Sequence, residues 1–268
     1  MQTLISLSTR LVAEAASSNH RRALVLAGDR EWCVKAADRV LHAAGFGEVL
    51  WVSTQAPAGV RSIPAAAAHS MLGREANAVV FDAFSGFDPD AFGAVSGTVR
   101  GGGLLLLLCP PLDDWPHFDD PEHERIAVAP YRASDVTGRF LRHVDRVIRE
   151  DENITVVEQS RDGACLNRGG SSSEETASTV TLPDHDDECR SADQRRAVDA
   201  IIKVVTGQRR RPVVLMSDRG RGKSAALGIA AARLLRGKIA RIVVTGPSRD
   251  AAAPAFAHAQ RLLSGAVA

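Results

Sequence analysis

Five consecutive leucines, residues 104–108, stand between Gly101-Gly102-Gly103 and Cys109-Pro110-Pro111. Successive side chains of a β-strand point to opposite faces, so a strand written wholly in leucine must be covered on both. The run is far shorter than the roughly 20 apolar residues needed to cross a bilayer. Residues 23–27 (ALVLA), 48–52 (EVLWV) and 78–81 (AVVF) read as further buried strands, and 154–157 (ITVV) as a closing one. Helical patterns separate them at 31–44, 65–72, 88–99 and 134–149, with Pro64 opening the second and Asp88 placed to cap the third. The glycine triplet is predicted to end that third helix before the leucine strand begins. Strands apolar on both faces, alternating with helices, imply a parallel sheet between two helical layers. Residues 1–158 are therefore expected to form an open parallel-sheet α/β domain.

Residues 159–190 are rich in Ser, Gly, Asn and acidic residues, with few apolar ones, and read as a linker. A second α/β pattern occupies 191–268: a helix at 193–205, a strand at 212–216 (PVVLM), a loop, a helix at 223–235, a strand at 241–245 (RIVVT) and a helix at 249–263. Two parallel strands are too few for an independent sheet. The segment is read as the first, incomplete part of a P-loop α/β domain.

The loop between the strand at 212–216 and the helix at 223–235 carries the chemistry. Ser217-Asp218-Arg219-Gly220-Arg221-Gly222-Lys223-Ser224 fits G-x-x-x-x-G-K-[ST] at every position but the first, where Ser replaces Gly. The following helix offers unpaired N–H groups and a positive dipole end to an anion. Gly220 and Gly222 permit backbone conformations and a close approach that a Cβ obstructs. Lys223 is placed to bridge the β- and γ-phosphates of a nucleoside triphosphate, and the Ser224 hydroxyl to ligate Mg²⁺. Arg219 and Arg221 are further cations, facing phosphate, RNA or solvent. Gln194, at the start of the preceding helix, has an amide able to donate to and accept from an adenine edge; a surface glutamine at a helix start is the plainer alternative.

Nucleotide hydrolysis needs a second carboxylate on a later strand end, and no apolar strand ending in Asp or Glu follows Ser224. Asp82 ends an apolar strand (AVVFDA) but precedes the loop, and is read as capping a turn. Cys33, Cys109, Cys165 and Cys189 are scattered without the short paired spacing of a zinc site. The formal net charge of +1 over 268 residues supplies no global attraction to nucleic acid or membrane. With no leader and no spanning run, a cytoplasmic protein without a membrane partner is expected.

Several motifs in order resemble the N-terminal part of bacterial tRNA(Met) cytidine acetyltransferases. They are Met71-Leu72-Gly73-Arg74-Glu75, AVVFDA at 78–83, Gly86-Phe87-Asp88, RGRGKSA at 219–225 and IVVTGP at 242–247. The resemblance implies a helicase-like, RecA-type NTPase module following an accessory α/β domain. It implies an enzyme that makes N4-acetylcytidine at the wobble position of elongator tRNA(Met), using acetyl-CoA and hydrolysed ATP or GTP. The family's nucleotide-binding residues map onto Gln194, Arg219, Gly220, Arg221, Gly222, Lys223, Ser224 and Ala225, with Ser224 on the metal. A small residue is common there at the loop's first position. The hydrolytic acid, the acetyltransferase domain and the tRNA-binding region are expected beyond Ala268, so this chain is expected to bind ATP without acetylating. A non-catalytic nucleotide- or RNA-binding module is the alternative.

Overall fold

The computed structural model of the chain describes residues 2–160, 165–168, 188–208, 211–217, 221–237, 239–246 and 248–264. The chain divides into two compact units, Met1–Glu175 and Thr176–Ala268. The first runs α1 (Gln2–Ser18), β1 (Arg22–Ala27), α2 (Arg30–Ala44), β2 (Val49–Val52), β3 (Ser62–Ile63), β4 (Ala76–Asp82), α3 (Pro89–Ser96), β5 (Val99–Cys109), α4 (Glu122–Ile126), α5 (Arg139–Glu150), β6 (Ile154–Gln159) and β7 (Cys165–Arg168). Its sheet has the order β3-β2-β4-β5-β1-β6-β7. The first six strands are parallel, and β7 pairs antiparallel with β6.

The leucine strand lies inside this sheet, with Leu105 opposite Ala23 of β1 on one side and Val79 of β4 on the other. Its side chains alternate as the pleat requires. Leu104, Leu106 and Leu108 are buried in a layer with Leu24, Leu26, Val40 of α2 and Leu4, Leu7 and Leu11 of α1. Leu107 belongs to the other layer, with Val25, Phe81, Trp115, Leu141 and Ile148. Each fully buried leucine contributes roughly 1.5–3 kcal/mol of transfer free energy, so the run is a principal source of the unit's stability.

Helix starts follow local chemistry. Asp29 accepts the Trp32 N–H at 2.8 Å to cap α2, and Asp88 accepts the Asp90 and Ala91 N–H groups at 2.9 and 3.2 Å to cap α3.

The structure departs from expectation in several places. The glycine triplet does not precede the strand; it lies within β5, and α3 stops at Ser96. Gly102 takes φ +83° and β5 shifts register against Ala76 and Ala78. A Cβ on Gly103 would lie 2.5 Å from the Asn77 carbonyl oxygen, so glycine is required by close strand approach. The helix expected at 134–149 begins only at Arg139, with Gly138 at its N-cap, where the Pro116 carbonyl leaves no room for a Cβ, and residues 133–135 form a separate 3₁₀ turn. Residues 65–71 form a 3₁₀ rather than an α-helix. Residues 165–168, expected in the linker, form the edge strand β7.

The second unit contains α6 (Ala192–Thr206), α7 (Lys223–Arg236) and α8 (Arg249–Ser264). Cys189, Val198, Ala226, Ile229 and Ala230 form its apolar centre. Gly228 lets α7 and α8 meet closely, since a Cβ there would sit 2.5 Å from the Ala255 carbonyl oxygen. Residues 212–216 and 241–245, read in sequence as strands, are not part of a sheet among the described residues. Their apolar side chains face outward, with Val214 79%, Met216 90% and Val243 72% exposed. A strand needs lateral hydrogen-bond partners, and neither segment has a ladder.

Candidate nucleotide-binding site

Two helix N-termini of the second unit meet at a cavity of about 840 Å³, lined in part by Gln194, Met216, Ser217, Arg221, Gly222 and Lys223. That volume lies within the roughly 300–1,000 Å³ typical of small-molecule sites. Gly222 caps α7 with φ 81° and ψ 19°, a left-handed conformation that disfavours any residue with a Cβ. Its carbonyl accepts the Ala226 N–H at 2.9 Å, so the helix begins directly at the loop. Lys223 is the first helical residue and reaches back across the loop: its Nζ donates to the Ser217 carbonyl oxygen at 2.6 Å and lies 3.3 Å from the Ser217 Oγ. Ser224 and Ala225 follow in the same first turn, both half-buried.

Gln194 arrives from α6. Ser191 Oγ accepts the Gln194 N–H at 3.1 Å, and Gln194 Oε1 accepts the Arg190 N–H at 2.7 Å. The Ser-x-x-Gln spacing is a capping signature legible in the sequence, and the expectation for Gln194 had not used it. Capping leaves the amide nitrogen directed at the loop: a Cβ on Gly222 would lie 3.3 Å from Gln194 Nε2. The arrangement thus brings together Gln194, Arg221, Gly222 and Lys223. Arg219 and Gly220 lie outside the described residues. Arg196, paired with Asp193 at 2.5 Å, lines the same cavity as Lys223 and Arg221.

This donor set suits a polyphosphate: an open helix N-terminus, a left-handed glycine and an ammonium at the loop mouth. The Ser224 hydroxyl is the one group in that first turn able to hold Mg²⁺, with phosphate oxygens completing its sphere. Among the described residues no group of three His, Cys, Asp or Glu side chains is placed to hold a metal.

Asp82 is engaged elsewhere. It is 1% exposed at the end of β4, where Oδ2 accepts from Arg30 Nη2 at 2.9 Å, Ser53 Oγ at 2.7 Å and Ser85 Oγ at 3.2 Å, and Oδ1 accepts the Phe84 N–H at 3.1 Å. It caps a turn and ties the end of β4 to the start of α2 and to Ser53 just beyond β2 within the first unit.

The open parallel sheet of the first unit, and a second unit whose described residues carry a glycine-rich loop and three helices, place the chain in the α/β class with a P-loop-type part. The particular family follows from comparison. Residues 1–159 match the family described as tRNA(Met) cytidine acetyltransferase TmcA, N-terminal, and residues 214–267 match RNA cytidine acetyltransferase NAT10/TcmA, helicase domain. The chain belongs to the tRNA(Met) cytidine acetyltransferase TmcA family. It is 55% identical over 263 residues to the TmcA of Nitrosococcus halophilus, covering 98% of this chain and 35% of the relative. It is 39% identical over 268 residues to that of Haloferax volcanii, covering 94% of this chain and 34% of the relative. The Vibrio cholerae relative is 33% identical over 240 residues, 89% of this chain and 28% of its own length. The chain thus spans about a third of the length of these relatives.

Proposed function

We propose that this chain supplies the nucleoside-triphosphate-binding part of a tRNA(Met) cytidine acetyltransferase, an enzyme that forms N4-acetylcytidine at the wobble position of elongator tRNA(Met). The first unit, with β7 at its sheet edge, acts as its accessory α/β domain, and residues 191–268 as the P-loop part. ATP, or GTP, enters the cavity beside Lys223 with its phosphates over the N-terminus of α7. Lys223 leaves Ser217 to bridge the β- and γ-phosphates, the amides from Arg219 to Ala225 cradle them, and Ser224 holds Mg²⁺. Gln194 reads the adenine edge through its amide, with Nε2 donating and the second lone pair of Oε1 accepting, while the Arg190 N–H holds Oε1 in place. Acetyl-CoA and tRNA(Met) are partners of the whole enzyme, and the protein works in the cytoplasm; no described helix is long and apolar enough to cross a membrane.

The single observation that carries this reading is the left-handed Gly222 at the start of α7, with Gln194 Nε2 beside it and Lys223 Nζ reaching back to Ser217 at 2.6 Å. After Ser224 the only acidic residue is Asp250, which lies on α8 rather than at a strand end, so binding without efficient hydrolysis is expected. Calorimetric titration of the 268-residue chain with Mg–ATP, beside phosphate release with and without tRNA, tests both parts. Binding with negligible release is the expected result. Absence of binding sinks the site, and release at the rate of a complete NTPase sinks the claim of slow turnover.

A further inference from the structure

The helical cover of the first unit's sheet is incomplete on one face. Leu24, Leu26, Leu104 and Leu106 are 0% exposed on the face closed by α1 and α2. On the opposite face a groove of about 320 Å³ opens between α3 and α5. Its floor includes Val25, Leu105 and Leu107, and its walls Phe92 of α3 with Phe140 and Val147 of α5. That volume is about twice the 150 Å³ of an engineered apolar cavity that takes up benzene, so it holds more than one bulky side chain. His143 contributes the only polar side chain of the lining. Phe140 and Val147 are 46% and 43% exposed, so an apolar stripe continues from the groove onto the surface. A parallel sheet is normally covered on both faces, which makes this slot the departure to be explained.

The charges beside the stripe are unequal. At 100° per residue, Arg139, His143 and Arg146 flank the stripe on the solvent side of α5, with Glu150 the only acid on that flank. Arg142 lies further round the helix, where Arg149 is paired with Asp145 and Asp113. Among the described residues Arg139, Arg142 and Arg146 have no carboxylate partner, and Arg146 Nη2 lies 3.0 Å from His143 Nδ1. Across the groove, the first turn of α3 carries Asp90, while Asp88 is occupied as its N-cap.

We propose that the groove between α3 and α5 is a docking site for an amphipathic protein segment, helical or extended, that inserts bulky apolar side chains and presents acidic residues to α5. An RNA base would forfeit its hydrogen bonds in a slot whose only polar group is one imidazole. A free apolar molecule gives the arginine flank no part. A second copy of α5 would bring like charges together. An amphipathic segment satisfies the groove and the flank at once, in the helix-in-groove manner.

Selection of random peptides displayed on phage against the 268-residue chain, with counter-selection on Val147→Glu, tests this directly. Enriched peptides are expected to be net acidic, with two or three large apolar residues at i, i+3 or i+4 spacing. Anisotropy titrations should then show binding weakened at least about tenfold by Val147→Glu, because a carboxylate is placed in the apolar stripe. Arg139→Glu/Arg146→Glu should weaken it about three- to tenfold, more at low salt. Both variants change exposed positions, and circular dichroism melts matching wild type establish that they fold. Enrichment of basic or polar peptides, or affinity unmoved by either variant, overturns the proposal. So does an empty selection accompanied by binding of fluorescein-labelled tRNA that is lost in the double arginine variant, which makes the face an RNA contact.

Discussion

Lys223 Nζ rests 2.6 Å from the Ser217 carbonyl oxygen and 3.3 Å from its hydroxyl, spanning the mouth of the loop from the first residue of the helix back to the first position of the motif. The carbonyl contact is one that any residue at position 217 can supply. A nucleotide replaces that neutral acceptor by charged oxygens, a stronger pairing. Lys223→Ala is therefore expected to weaken Mg–ATP binding roughly 10- to 100-fold, the worth of a hydrogen bond to a charged group at about 1.5–3 kcal/mol. Ser217→Gly keeps the carbonyl contact, loses the longer hydroxyl one and should leave affinity within about threefold. Isothermal calorimetry distinguishes the two.

Gly222 holds φ 81° where α7 begins. Alanine there costs roughly 1–2 kcal/mol in backbone conformation, and its Cβ would press on Gln194 Nε2. Gly222→Ala is expected to lower the urea midpoint of the second unit and to abolish measurable ATP binding. Gly222→Asn, a residue tolerated in the left-handed region, should recover part of the stability but not the binding.

Ser191 and Gln194 share a cap but not a function. Ser191→Ala loses the bond to the Gln194 N–H and should cost about 1 kcal/mol of stability, with ATP affinity changed less than about threefold. Gln194→Ala should lower ATP affinity more than GTP affinity, seen by competitive titration. Equal loss for both nucleotides would remove the base-reading role.

Asp82 is predicted to be structural. Asp82→Ala takes the carboxylate from Arg30, 34% exposed, leaving it the Gln55 carbonyl, and removes an acceptor from Ser53 and Ser85. The expected cost is about 2–4 kcal/mol in urea unfolding of the first unit, reduced by the solvent that reaches Arg30. Mg–ATP affinity should stay within twofold of wild type.

Acid should loosen the second unit through Glu188. Partial burial raises the pKa of its carboxyl, but the hydrogen bonds and charges of Arg233 and Arg236, at 2.8 and 2.6 Å, outweigh that and hold it below the ordinary 4.5. A carboxylate with a depressed folded-state pKa contributes stability that is complete above 4.5 and is lost as pH falls through the folded value. Urea midpoints should therefore drop more between pH 5 and pH 3 in wild type than in Glu188→Gln.

Much of this molecule was legible in residue patterns. The two-sided apolar runs at 23–27, 78–81 and 104–108 announced buried parallel strands, because burial of both faces leaves no room for polar alternation. Asp88 and Pro64 marked starts that the structure keeps. Gly222-Lys223-Ser224 placed a helix start at an anion-binding loop, and α7 begins at Lys223. Helix α1 escaped notice although its Leu4, Leu7 and Leu11 carry the spacing of one helical face. The capping role of Ser191 and Gln194 was equally readable and equally missed.

Other features depend on neighbours that no local pattern names. Glycines 101–103 read as a helix stop, yet the chain continues through them as strand because β4 approaches too closely for a Cβ. Position 138, at the N-cap of α5, must be glycine because the Pro116 carbonyl, 22 residues earlier, fills the space a Cβ would take. Residues 212–216 and 241–245 have strand composition without strand pairing, since a β-strand is a relation between chains and composition supplies only one side of it. The order of the strands, the open groove beside α5, and the meeting of Gln194 with Gly222 are of the same kind. What the sequence by itself determined were the properties set by residues a few positions apart: periodicity, caps and the phosphate loop. Tertiary structure alone decided which distant groups met, because those contacts are selected by packing and hydrogen-bond satisfaction over the whole fold.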